Sequence, residues 1–241
     1  MGLLISAGVE TAIALSALGY LLFRSQNRRA AALAFVIALP MSPLAFYTVE
    51  YAARAIRWSL MVADGWFVPG VVILFAAPAQ EPAKWLAAAV PMVRRAIRSQ
   101  PVTMALVVGL GFSIGEAWFV TLTFVWMFSG SGYTDPWDPW RFSGFVIDWL
   151  GLSFLHGAFV ALPFAAFARS GSFLLFLLGG LAGMTLHFFL SYPSQLLRFD
   201  FFGLGNVWAL VLVWCWMTGF VVACALMLWW LARRPSTAVK T

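Results

Sequence analysis

Apolar runs of about 20 residues recur along almost the whole of this 241-residue chain, and that is the length of helix that crosses the hydrocarbon core of a bilayer. In lipid no water is present to satisfy backbone N–H and C=O groups, so a spanning segment is either a helix or a strand of a closed barrel. The runs here are continuous rather than alternating, which selects helices. Residues of hydrophobic type make up 63% of the chain and charged ones 10%, too little charge for a water-soluble domain of this size. The expected fold is therefore all-α. It is a polytopic transmembrane helical bundle, one domain over residues 1–241, set in a lipid bilayer and with little room for a soluble part.

Seven spans are expected, at about 3–23, 31–50, 66–92, 102–128, 144–168, 172–191 and 206–231. Pro40 and Pro43 interrupt the second and Glu50 closes it. The following segment, YAARAIRWSLMVADG at 51–65, reads as a short amphipathic helix lying in the membrane interface. No internal repeat and no low-complexity linker is present.

The basic residues fix an expected orientation. Arg24, Arg28, Arg29, Arg94, Arg95, Arg98, Arg169, Arg233, Arg234 and Lys240 fall at one set of span ends. Arg54, Arg57, Arg141 and Arg198 fall at the other, among Asp64, Asp135, Asp138, Asp148 and Asp200. The positive-inside rule then puts the N-terminus outside and the C-terminus in the cytoplasm, in a bacterial or archaeal cell membrane. The net charge of +6 is accounted for by these ends, so no nucleic-acid partner is expected. The DPWDPWRF loop at 135–142 carries Trp137 and Trp140, which read as headgroup-level aromatics.

Some features carry little. Cys215 and Cys224 lie about 13 Å apart along one helix, too far for a disulfide, and read as core residues. The opening MGLLIS matches a myristoylation pattern by chance, and no basic region precedes the first run as in a cleaved signal peptide. Gly111–Gly115 and Gly179–Gly183 have GxxxG spacing, a close-packing device of membrane helices.

The informative residues are the ionisable ones inside the apolar runs: Glu10, Glu81, Lys84, Glu116, His156 and His187. Glu10, near the outside end of the first span, is expected to be structural or to reach solvent. Counting the rise from the nearest cytoplasmic arginine puts Glu81 and His156 about 20 Å deep, Glu116 and His187 about 27 Å, and Lys84 about 15 Å. Four residues of four different spans thus fall in two adjacent layers that side chains can bridge. Each charged group facing lipid would cost at least about 2.5–3.5 kcal/mol, which favours one shared polar cavity. The bland reading is polar glue between helices, with Glu81–Lys84 a simple i,i+3 ion pair.

Carboxylates and imidazoles are general bases for activating water, and also ligands for a zinc-like ion. A buried cation stabilises a developing oxyanion. The set suits amide hydrolysis within a membrane, or a proton relay in a transporter. HExxH, GxSxG and a phosphate-binding glycine loop are all absent. No cofactor is called for by the residues alone, and a divalent metal such as zinc is compatible with Glu81, Glu116, His156 and His187 as ligands.

The same residues carry a family resemblance. Glu81-x-x-Lys84 resembles the second half of the EExxK motif of PrsW-type intramembrane proteases. Phe112-x-x-x-Glu116, within GLGFSIGEAWF, resembles their glycine-rich FxxxE helix. FLHGAF around His156 and TLHFFL around His187 are similar to their two later single-histidine helices. The order agrees over about residues 66–191, the motif-bearing core. The wider group includes CAAX-prenyl proteases and Abi proteins, and the YhfC type is also similar, GEA at 115–117 fitting it. The resemblance implies an endopeptidase that cleaves membrane-anchored or transmembrane protein substrates with glutamate-activated water. It implies Glu81 and Glu116 as the acidic pair, His156 and His187 placing water or stabilising the oxyanion, and Lys84 holding the Glu81 region together. The family pattern departs at Gln80, where its first glutamate belongs. An amide takes up no proton at neutral pH. Either Glu81 or Glu116 does the work, or the chain is a pseudoprotease that binds transmembrane segments without cutting, or a Glu→Gln change has been made to trap a substrate.

Overall fold

The computed structural model describes residues 2–59, 61, 67–128, 139–198 and 206–233. Its elements are α1 (Gly2–Arg24), α2 (Arg28–Ala38), α3 (Met41–Ser59), α4 (Phe67–Trp85), a 3-10 turn (Leu86–Ala89), α5 (Pro91–Ser99), α6 (Pro101–Phe128), α7 (Pro139–Ser170), α8 (Phe173–Arg198) and α9 (Asn206–Arg233). No strand occurs among the described residues. Among the described residues, six stretches are long and apolar enough to cross a membrane: Leu4–Arg24, Arg28–Ser59, Pro101–Thr123, Val146–Ser170, Phe173–Pro193 and Val207–Arg233. The helix that carries Glu81 and Lys84 is not among them.

Local chemistry sets the breaks. Asn27 caps α2, its Oδ1 accepting from the Ala30 N–H at 3.0 Å. Gly171, at φ +66°, ends α7 and turns the chain into α8, its N–H bonded to the Phe167 carbonyl at 2.8 Å. Two expectations change. The second span is broken at Leu39–Pro40, as expected from Pro40, but α3 runs unbroken through Ser59 rather than ending at Glu50. Residues 51–59 therefore continue a helix instead of starting an interfacial one, while residues 60 and 62–66 lie outside the described residues. The expected span 66–92 is also divided. Val90 is extended (φ −75°, ψ 122°) ahead of Pro91, which opens α5, as the steric demand of proline on the preceding residue requires. Depth counted straight from Arg94 to Glu81 or Lys84 thus crosses a turn, and from Arg98 to Glu116 crosses the break at Gln100.

α6 and α7 form the centre. Their membrane-length windows are 72% and 61% buried, against 18% for α9. α6 packs on α1, α2, α3 and α7, and α7 also on α8 and α9. Glycines set how closely they approach. A Cβ on Gly109 would meet the Gly157 backbone N at 2.2 Å, and one on Gly115 the Leu39 carbonyl at 1.9 Å. Gly179 and Gly183 sit against the Leu162 and Phe159 carbonyls in the same way. The two GxxxG pairs are thus the seats of α2–α3 on α6 and of α8 on α7. Cys224 is buried as expected, but Cys215 is exposed on the outer face of α9. Trp137 and residues 135, 138, 200, 234 and 240 lie outside the described residues, as does the side chain of Trp140.

Gly109→Val forces two backbones apart, and overpacking of this kind costs about 1–3 kcal/mol. Gly19→Ala, with nothing within 4 Å of the added carbon, is expected to leave stability unchanged. Thermal unfolding of both variants in detergent checks the contrast.

Candidate functional site

The polar residues of α4, α6, α7 and α8 converge on one buried cluster. α4 contains Pro78 and Pro82, each of which removes an N–H from the helical ladder. The helix gives way to the 3-10 turn after Trp85, so Glu81 and Lys84 occupy its last full turn. Glu81 Oε1 accepts from Lys84 Nζ and from His187 Nδ1, the latter at 2.7 Å. Lys84 Nζ lies 2.9 Å from His156 Nδ1, and His156 Nε2 lies 2.8 Å from Glu116 Oε2. The Gln80 side chain is hydrogen-bonded to Glu116. The order of contacts is His187–Glu81–Lys84–His156–Glu116–Gln80.

Proton positions follow from donor and acceptor types. An ammonium only donates, so His156 Nδ1 accepts from Lys84 and its Nε2–H donates to Glu116. His187 donates from Nδ1 to Glu81, which leaves Nε2 as the lone-pair nitrogen. The two rings meet edge to face at 5.2 Å. Phe159 stacks on His187 at 5.4 Å and Phe112 meets His156 at 5.0 Å. Phe112 also turns its face to Lys84 Nζ, 4.7 Å from the ring centre, a cation–π contact. Lys84 thus has Glu81, His156 and an aromatic face around it and is wholly buried.

Two acceptors remain open. Gln80 Oε1 and Glu81 Oε2 are buried with no partner among the described residues. Each calls for a donor, such as a water or a peptide N–H. Glu116 is the most accessible member, its side chain 10% exposed against 0–4% for Glu81, Lys84, His156 and His187. Of the four candidate ligands, Glu81, His156 and His187 each offer an atom, all within 4.8 Å of one another. Glu116 stands behind His156, bonded to its other nitrogen.

Glu10 does not reach solvent. It is fully buried, and Ser153 Oγ lies 3.3 Å from its Oε1 and 2.7 Å from Ser113 Oγ. Its Oε2 has no partner among the described residues. Asp148 is half-buried. Sequence reasoning passed over both serines. Ser113 is three residues before Glu116 and Ser153 three before His156, one helical turn on the same faces, and that spacing was the available signal.

In comparisons with protein families, with curated proteins and with solved structures, nothing matches this chain. The resemblance to PrsW-type proteases therefore rests on the four short motifs themselves.

Lys84→Met leaves Glu81 buried and short of its cation, and breaking a buried pair in this way costs about 3–5 kcal/mol. Adding Glu81→Gln removes the stranded charge and is expected to recover part of that loss. A double-mutant cycle on unfolding in mixed micelles measures the coupling, and simple additivity would show that the pair is not a unit.

Proposed function

We propose that this chain is a PrsW-like intramembrane endopeptidase that hydrolyses peptide bonds of membrane-anchored proteins. The observation that carries the reading is the unbroken carboxylate–imidazole–ammonium chain across four helices, buried among apolar residues. Ionisable groups at that depth are costly and are characteristically functional. The expected topology, with the N-terminus outside and the C-terminus cytoplasmic, and a multi-pass place in a prokaryotic cell membrane belong to the same proposal.

Hydrogen-bond saturation assigns the roles. Glu81 Oε1 already accepts from Lys84 and His187, so Glu81 anchors both. Lys84 is engaged on three sides and holds the framework. Glu116 is the least buried of the charged set and is held by His156 and Gln80, which suits it to take a proton from water. The hydroxide attacks the scissile carbonyl carbon, and protonated Glu116 then gives the proton to the leaving amine nitrogen. His187, oriented by Glu81 as a carboxylate orients an imidazole elsewhere, keeps its Nε2 lone pair to accept a hydrogen bond from the water.

The donor set also fits a zinc-type ion. Glu81, His156 and His187 are ordinary zinc ligands, and Glu81 Oε2 is an uncommitted oxygen. Such an ion would polarise the carbonyl and acidify water, in competition with the Lys84 ammonium for Glu81 and His156.

A second reading follows from Gln80. Its amide cannot serve as a base, and the chain on that reading is a pseudoprotease that binds transmembrane segments without cutting them.

Cleavage of a single-span reporter in proteoliposomes separates these. The wild type is expected to cut, and Glu116→Gln, which keeps the acceptor for His156, to lose at least about 10²-fold in rate. Unchanged turnover in that variant would sink the proposed role of Glu116. Cleavage only after Gln80→Glu would establish the pseudoprotease reading. For the metal, protein equilibrated with zinc and then desalted is expected to retain an ion that His187→Ala does not. Equal metal content in the two would remove the zinc site and leave the hydrolase reading standing.

A further inference from the structure

Glu10 is a buried carboxyl that the proposed reaction does not use. It sits in α1, which packs on α6, α7 and α2, and it has no exposed surface. Ser153 Oγ is 3.3 Å from its Oε1 and 2.7 Å from Ser113 Oγ, and Ser113 Oγ is 3.4 Å from the Trp149 carbonyl oxygen. The two serines form a rung between α6 and α7, one helical turn from the rung that Glu116 and His156 make.

A carboxylate sealed in an apolar interior calls for a cation, a metal ion or a proton. Among the described side chains, the elements around Glu10 supply no cation. α1 itself carries Tyr20 and Arg24, and Arg24 is 14 residues away. α6 carries Glu116 alone. α7 carries Asp148, His156 and Arg169. His156 is engaged with Lys84 and Glu116, and Arg169 lies 16 residues beyond Ser153. Arg28 and Arg29 open α2, past Arg24. Arg24 and Arg169 are thus about 20 Å or more along a helix from Glu10 or its serine partner. The oxygens are not arranged for a metal ion either. The two hydroxyls bond each other directly, and Glu10 is the one charged group where a hard cation takes several oxygens.

Counting donors selects the proton. The Trp149 carbonyl only accepts, so Ser113 donates to it, and Ser153 then donates to Ser113. Each serine has one hydroxyl proton, and both are now used. The contact between Glu10 and Ser153 takes its proton from Glu10 Oε1. Oε2 is then a carbonyl oxygen. It has no partner among the described residues, and leaving a neutral acceptor unpaired costs less than leaving a charged one.

We propose that Glu10 is a proton-binding site, a neutral carboxylic acid that seats α1 on α6 and α7 while it holds its proton. Loss of the proton reverses the hydroxyl chain and leaves a bare charge where three helices meet. α1 is the member that yields, with 28% of its membrane-length window buried against 72% for α6 and 61% for α7.

The inference does not rest on the proposed hydrolase activity, and its test uses no cleavage. Infrared spectra of the full chain at neutral pH are expected to contain the carbonyl stretch of a protonated carboxyl group that Glu10→Gln removes. Ser153→Ala, which takes away the acceptor of its proton, is expected to move the same band to higher frequency, and this assigns the band even if Glu10→Gln does not fold. No such band, or one that Ser153→Ala leaves in place, overturns the proposal. The seating of α1 is read from Ser6→Cys, a buried position one turn from Glu10, with Cys215 and Cys224 replaced by alanine. Docked α1 keeps a proton that undocked α1 releases above the ordinary carboxylate range, so rising pH favours undocking. At matched pH, the maleimide labelling rate with Glu10 divided by that with Glu10→Gln is expected to climb by up to about tenfold per pH unit until Glu10 loses its proton. A ratio that does not change with pH would show that α1 is seated without the proton.

Discussion

A wholly buried ammonium holds the centre of this molecule together. Lys84 has no access to water, so its charge is stable only with Glu81 beside it and the His156 lone pair and the Phe112 face around it. Those partners come from α4, α6 and α7, and Glu81 recruits His187 from α8. In a low-dielectric interior such contacts are strong when complete and costly when one member is missing. The cluster therefore fixes the register of four helices against one another, which apolar packing alone specifies weakly in lipid. Glycine supplies the room. Gly157 follows His156 directly and lies against α6, and Gly183 is one turn before His187 and lies against α7. The histidines meet because the backbones beside them can touch.

Much of this was legible in the chain itself. Hydrophobic run length located α1, α6, α8 and α9 closely, and the turn at Gly171 between α7 and α8. Pro40 and Pro43 announced the interruption of the second run. What escaped was the turn at Val90 before Pro91, which diverts a run that hydropathy carries on to residue 92. Because the breaks at Val90 and Gln100 consume length without rise, depth counted from Arg94 and Arg98 follows a route the chain does not take, although the residues it grouped do meet. The expected layering of Glu81 with His156 and of Glu116 with His187 is replaced by cross-links between the layers, made by side-chain reach. Glu10 shows the other limit. Its serine partner, Ser153, is 143 residues away in the chain, and nothing around Glu10 itself announces it.

The carboxylates illustrate how hydrogen-bond accounting divides residues that a sequence treats alike. Glu81 and Glu116 are both acids in apolar helices near a histidine. One has an oxygen committed to two donors and is sealed. The other keeps an opening and is steadied by an amide and an imidazole. Gln80 is also clearer in this setting. A third carboxylate there would stand against Glu116 where an N–H donor now does. The amide is an integrated part of the cluster, whatever its relation to a glutamate at that position in other chains.

The Glu81–Lys84 pair also bears on the order in which the cluster can form. His187 lies 106 residues after Glu81, so when α4 leaves the ribosome its partner histidines have not yet been made. A lone glutamate or lysine on α4 would until then be a charge without its long-range partners. The two are three residues apart on one helix, and each neutralises the other within a single turn. The segment carries its own counterion through biogenesis, and its long-range contacts are added as the later helices arrive.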